Sequence, residues 1–184
     1  MLEKEVKILE IDRAEVMKNL EKLWAEKTFD GFIHDIYYDF PGWENNKMED
    51  NKRLFRVRQK WETHLYTIKR KRNKKSEWWE KWVKVADEWE NIITDVESFK
   101  KVLEKYWMKQ TREKKKQRVS YKLWKIEFDL DDYDGIPSLM EIEAATSEEI
   151  KEYTKTLWLE GHIQKKFGSR KLYEYYGLEY SYLD

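Results

Sequence analysis

Leu2-Glu-Lys-Glu-Val-Lys-Ile8 is the stretch from which the fold can be read. In an extended backbone Glu3, Glu5 and Lys7 fall on one face, and Val6 and Ile8 on the other. The same period of two returns down the chain. Arg56 and Arg58 oppose Phe55 and Val57, Lys69 and Lys71 oppose Ile68, and Lys116 and Arg118 oppose Val119 and Tyr121. Glu127 and Asp129 oppose Ile126 and Phe128, and Glu141 and Glu143 oppose Met140 and Ile142. Between these strands three helices are predicted. Asp12 opens one over Arg13–Leu23, Thr94 with Glu97 a second, and Thr146 with Glu149 a third. Asp134–Gly135 and Pro137 mark a turn. Many short strands and few helices predict an α+β fold, with helices packed on the apolar side of an antiparallel sheet.

The charges carry a second message. The 184 residues hold 37 basic and 37 acidic side chains, a formal net charge of zero, but the signs are segregated. Residues 52–75 contain 11 Lys or Arg against Glu62 alone, residues 109–118 contain six against Glu113, and residues 127–149 contain nine acids and no base. A passive wet sheet face mixes signs, because opposite charges pair across strands and like charges repel. Curled with its charged face inward, this sheet would enclose a carboxylate cluster and a basic cluster, a costly interior without a ligand. A polyphosphate with a hard divalent cation fits such an interior: carboxylates hold the metal and Arg or Lys clamp the phosphate oxygens.

Other chemistries are disfavoured. Zero cysteines exclude disulfides, thiolate metal sites and cysteine nucleophiles. His34, His64 and His162 are dispersed, and no glycine-rich phosphate loop is present. No apolar run approaches a membrane span, and the charged N-terminus is unlike a signal peptide, so one cytoplasmic domain over 1–184 is expected. The basic, aromatic stretch Lys52–Trp82 suggests single-stranded nucleic acid as a competing ligand, but such a groove has no use for converging Glu3, Glu5, Glu141 and Glu143.

An ordered series of motifs resembles the CYTH family, the triphosphate tunnel metalloenzymes. Glu3-Lys-Glu5-Val-Lys7 is similar to its opening Glu-x-Glu-x-Lys, and Asp35-Ile-Tyr-Tyr-Asp39 to its Asp-x-Tyr-Phe-Asp strand. Leu54-Phe-Arg-Val-Arg58, Tyr66-Thr-Ile-Lys69, Glu88-Trp-Glu90, Lys116-Gln-Arg118-Val-Ser-Tyr121 and Met140-Glu-Ile-Glu143 follow in family order. The resemblance implies an eight-stranded antiparallel β-barrel, a tunnel for a triphosphate with Mg²⁺ or Mn²⁺. It implies metal ligation by Glu3, Glu5, Glu141 and Glu143, with Glu127 and Asp129 near a second cation. It implies phosphate contacts from Lys7, Arg56, Arg58, Lys69, Lys116 and Arg118, with Lys7, Lys69 and Arg118 acting in catalysis. Glu88 and Glu90 read equally as a rim, and Lys165, Lys166, Arg170 and Lys171 compete for a C-terminal basic role. The layout is similar to small bacterial class IV adenylate cyclases. ATP conversion to cyclic AMP and pyrophosphate is therefore expected, with inorganic or thiamine triphosphate hydrolysis as the alternative and a homodimer implied.

Composition holds one more oddity: 6 glycines and 10 tryptophans in 184 residues, where glycine alone averages about 7%. Trp24, Trp107 and Trp158 follow the last apolar residue of each predicted helix, and Trp61 and Trp124 lie in apparent hairpin turns. Those slots call for glycine. The pattern predicts exposed or strained indoles standing where the native chain has glycine, through UGA codons read as glycine or through mutation.

Overall fold

The computed structural model describes residues 2–40, 53–71 and 84–180. Its elements run β1 (Leu2–Ile8), α1 (Arg13–Lys22), β2 (Glu26–Asp39), β3 (Arg53–Lys60), β4 (Thr63–Lys71), β5 (Lys84–Ile93) and α2 (Val96–Lys105). Then follow β6 (Lys109–Leu123), β7 (Ile126–Tyr133), β8 (Ile136–Ala144), α3 (Ser147–Thr156), β9 (Gln164–Lys165) and α4 (Ser169–Tyr175).

All nine strands form one antiparallel sheet in the order β5-β4-β3-β2-β6-β7-β8-β1-β9, and β5 turns back to pair with β1. Among the described residues β1 meets β5 over Leu2–Glu5, and β9 takes the same edge at Lys7 and Ile8. The expected eight-stranded closed barrel is therefore corrected to a nine-stranded sheet with a partial seam. A strand of two residues is too short to leave a periodic signal, which is why β9 escapes a sequence reading.

The period-two pattern sorts the two faces as expected. Val6, Ile8, Val119, Tyr121, Phe128, Leu130, Met140 and Ile142 form the main core, covered by Val16 and Leu20 of α1 and Ile150 of α3. Tyr38, Val57, Ile93 and Leu103 of α2 form a second cluster. The third departs from the pattern. Leu9, Tyr133 and Leu139 share the face of the charged residues, and Leu172 of α4 packs on them as an apolar plug. Helix α4 was not among the three predicted.

The helix starts hold with one change. Asp12 caps α1 and Thr146 with Glu149 forms a full capping box on α3, an interaction worth about 1 kcal/mol. Asp95, not Thr94, caps α2. Its carboxylate accepts the Ser98 amide, a contact that holds the carboxyl below its ordinary range. Trp24, Trp61, Trp107, Trp124 and Trp158 all take positive φ, between 52° and 63°, and all five are exposed. Among the described residues no helix is long and apolar enough to cross a membrane.

Candidate functional site

Strand register arranges the charged face in rows. Glu5 of β1, Glu143 of β8 and Glu127 of β7 stand directly opposite one another. In the next row are Lys7, Glu141, Asp129 and Ser120, and in the next Leu139, Asp131, Arg118 and Gly31. Farther along β6, Lys114 faces Asp35 and Arg58, and Arg112 faces Tyr37 and Arg56.

Two aspartates, each fully buried, organise the cations. Arg58 donates to both Asp35 oxygens, Nε at 2.7 Å and Nη2 at 3.1 Å, while Lys114 Nζ lies 3.2 Å and Arg56 3.8 Å away. Arg118 donates to both Asp131 oxygens at 2.6 Å, and Lys116 Nζ donates to Asp131 at 2.6 Å. Such two-point pairs fix the guanidinium planes as well as their charge. Burial by itself would raise the Asp35 carboxyl, but Arg58, Arg56 and Lys114 overcome it and hold it well below the usual carboxylate range. Asp131 is likewise lowered, with Arg118 and Lys116 outweighing desolvation.

The glutamates divide their contacts among separate cations. Glu5 accepts from Lys7 at 3.4 Å and Lys69 at 3.3 Å, and Lys69 also reaches Glu88 at 2.5 Å. Lys7 lies 2.5 Å from Glu141, which also accepts from Arg118 at 3.1 Å. Arg56 donates to Glu88 at 3.2 Å and to Thr67 at 3.0 Å, yet its buried Nε has no partner. Asp129 accepts from Arg118 and from Ser120.

Lysines feel this environment in opposite ways. Desolvation lowers Lys7, but Glu141 and Glu5 more than reverse it and its pKa is raised. Burial and the neighbouring Arg118 guanidinium push Lys116 down to about 7 in spite of Asp131. Lys116 shares Asp131 with Arg118, and Lys114 lies on its other side along β6.

At the Arg112 end the lining becomes aromatic. Arg112 lies 4.3 Å over the Tyr37 ring and 5.9 Å from that of Tyr180, and its buried Nε has no partner. Lys114 lies 5.9 Å from the rings of both Tyr37 and Tyr133.

All six expected phosphate contacts, Lys7, Arg56, Arg58, Lys69, Lys116 and Arg118, thus line one face with Glu5, Asp129 and Glu141. Glu88 also belongs to this interior through Lys69 and Arg56. Glu127 does not: it is exposed and pairs with Lys122 at 3.0 Å. Glu143 is half-buried between Glu5 and Glu127 in register, and the Glu3 side chain lies outside the described residues. Lys165 stands over Tyr175 and Arg170 pairs with Glu174 at 3.5 Å. Asp35, Asp131, Lys114 and Tyr37 escaped the sequence reading as site residues, although Asp131 and Lys114 share strand parity with Asp129 and Lys116, which were named.

Among the described residues no three acids or histidines converge to hold a metal as they stand. The donor set nevertheless fits a hard divalent cation: it is all oxygen, and Glu5 and Glu143 are like charges directly opposite on β1 and β8, a pair that a cation relieves.

Comparison with known proteins agrees with this geometry. The CYTH domain model matches residues 1–176. The PH1012 protein of Pyrococcus horikoshii OT3 has a similar structure, with TM-score 0.66, 23% identity, and coverage of 86% of this chain and 92% of that one. A proposed adenylate cyclase of Vibrio parahaemolyticus superposes with TM-score 0.63 at 17% identity, covering 85% of this chain and 84% of that one. A proposed adenylyl cyclase from Hippeastrum, with a dominant triphosphatase activity, gives TM-score 0.57 at 12% identity over 97% and 96% of the two chains. No curated protein sequence matches the chain.

Proposed function

The chain belongs to the CYTH domain family, and from that premise we propose that it is a divalent-cation-dependent enzyme that converts ATP to cyclic AMP and pyrophosphate. The observation that carries the reading is the set of six buried or half-buried cations on one sheet face: Arg58, Lys116 and Arg118 are fixed by Asp35 and Asp131, and Lys7, Lys69 and Arg118 reach Glu5 or Glu141, carboxylates that a metal could take over.

Glu5, Glu141 and Glu143, with Asp129 beside them, would hold Mg²⁺ or Mn²⁺, and the family resemblance adds Glu3 as a further ligand. When bound, the cation neutralises triphosphate charge and polarises a phosphoryl oxygen. Arg58, Lys116 and Arg118, held by Asp35 and Asp131, present fixed donors to the phosphate oxygens. Fixed donors cost no reorganisation when charge develops. Arg56 of β3 and Lys69 of β4 add further donors beside them. Lys7, Lys69 and Arg118 are assigned to charge that grows on the departing pyrophosphate as the ribose 3′-oxygen attacks the α-phosphorus. The aromatic end at Tyr37, Arg112 and Tyr180 suits the organic part of the substrate, which inorganic tripolyphosphate lacks.

Hydrolysis is the second reading, favoured by the triphosphatase activity of the Hippeastrum relative. Incubation with ATP, thiamine triphosphate and tripolyphosphate under Mg²⁺ and Mn²⁺, followed by product chromatography, separates the two. Cyclic AMP with pyrophosphate is expected. ADP with phosphate, and no cyclic AMP, would overturn the cyclase assignment in favour of a triphosphatase.

A further inference from the structure

Four helices in this molecule end in one way, but not on one residue. In α4 the C′ residue is Gly177, at φ 68°; its amide donates to Glu174 and the following Leu178 amide to Tyr173. These two bonds make the Schellman motif, which needs a left-handed C′ residue. α1, α2 and α3 repeat it bond for bond. Trp24 donates to Glu21 and Ala25 to Leu20; Trp107 to Glu104 and Met108 to Leu103; Trp158 to Lys155 and Leu159 to Thr154. Their C′ residues have φ 60°, 63° and 62°. The hairpins divide similarly. The turn between β7 and β8 takes its positive φ at Gly135, while those between β3 and β4 and between β6 and β7 take theirs at Trp61 and Trp124.

Tryptophan is a poor occupant of these places. The left-handed region drives its Cβ against backbone that glycine does not meet. An indole is normally kept because it packs, yet Trp24, Trp107, Trp124 and Trp158 are 78–90% exposed. Trp61, 60% exposed, leans on Phe29 with centroids 4.7 Å apart. Among the described residues Glu10 is the other positive-φ residue that is not glycine, so the conformation does not itself require tryptophan. Scattered mutation of glycine codons would leave several residue types at such turns. A single type at five of them points to a single codon.

We propose that Trp24, Trp61, Trp107, Trp124 and Trp158 are glycines in the organism that makes this protein, encoded by UGA triplets that its ribosomes read as glycine. The inference rests on backbone geometry and is independent of the reaction assigned above.

Reading the five codons in the gene tests the origin, and peptide mass spectrometry of protein from the native source tests the residue. UGA at all five with glycine in the peptides is expected; UGG codons with tryptophan in the peptides overturn the proposal. A stability series tests the physical premise. Trp→Gly at each position should raise Tm by about 2–4 °C, and Trp→Ala, which keeps a Cβ, should gain less. Gly177→Trp should lower Tm. Trp→Gly variants no more stable than the parent would remove the geometric argument.

Discussion

The carboxylates of the charged face divide into two groups, and the division separates architecture from chemistry. Asp35 and Asp131 are 0% exposed, and each is gripped by one arginine through both oxygens and by at least one lysine. Glu5, Glu88 and Glu141 keep 10–20% of their side chains exposed and lean on separate lysine or arginine nitrogens. An aspartate, one methylene shorter, sits under the guanidinium and fixes it. The glutamates meet cations that could find another partner, Glu88 opposite Lys69 and Glu141 opposite Lys7 on neighbouring strands. On the proposed function the aspartates set the positions of the phosphate-binding groups, and the glutamates are the exchangeable counter-ions.

The largest expected effect follows from the aspartates. Asp131→Asn leaves Lys116 and Arg118 buried without their shared counter-charge and should cost about 3–5 kcal/mol in urea unfolding. Asp35→Asn should act alike. Glu141→Gln, by contrast, should cost about 1–3 kcal/mol, because its amide oxygen keeps one of the two cation contacts while its NH₂ turns toward the other. Equal losses at Asp131 and Glu141 would erase the distinction.

The second effect reverses the ranking. Glu5→Gln and Glu141→Gln should weaken the Mn²⁺ dependence of activity by roughly 10–100-fold, while the folded fraction stays near that of the parent. Metal titration of turnover, checked against circular dichroism, reads both quantities.

Third, if the glutamates leave their lysines for the metal, metal and triphosphate must favour one another's binding. Calorimetry with a non-reactive ATP analogue should give about tenfold tighter binding with Mg²⁺ than without it, and the reciprocal effect on the metal. Independent binding would mean that the glutamate pairs are not exchanged.

The smallest effect is a proton. Lys116, pushed down to about 7, is neutral in alkaline solution and charged in acid. A bound triphosphate favours the charged form and returns the group toward the ordinary lysine range. Binding at about pH 9 should take up roughly one proton, and binding at about pH 5.5 should take up almost none. Calorimetry in buffers of different ionisation heat measures it, and Lys116→Met should abolish the uptake.

Much of this was legible in the sequence because strand parity is local. The side of the sheet on which Glu5, Lys7, Arg56, Arg58, Lys116, Arg118 and Glu141 stand can be read from alternation alone. Partnership cannot. Asp35 meets Lys114, and Lys7 meets Glu141, only through strand registers set far away in the chain. Glu127 has the correct parity but lies beside the Trp124 turn, so its side chain reaches solvent and Lys122. The apolar plug at α4 was also hidden, because Leu9 and Leu139 occupy inward positions where alternation predicts polarity.

A final consequence concerns the joint between β1 and β5. A hoop is as stiff as its clasp, and among the described residues this one fastens over Leu2–Glu5. Glu5 stands at the clasp opposite Lys84 of β5 and, on the other edge of β1, opposite Glu143 of β8. On the proposed function a cation held by Glu5 and Glu143 would anchor the strand that carries the seam, and slower exchange of the clasp's amide hydrogens would be the strain gauge that reports it.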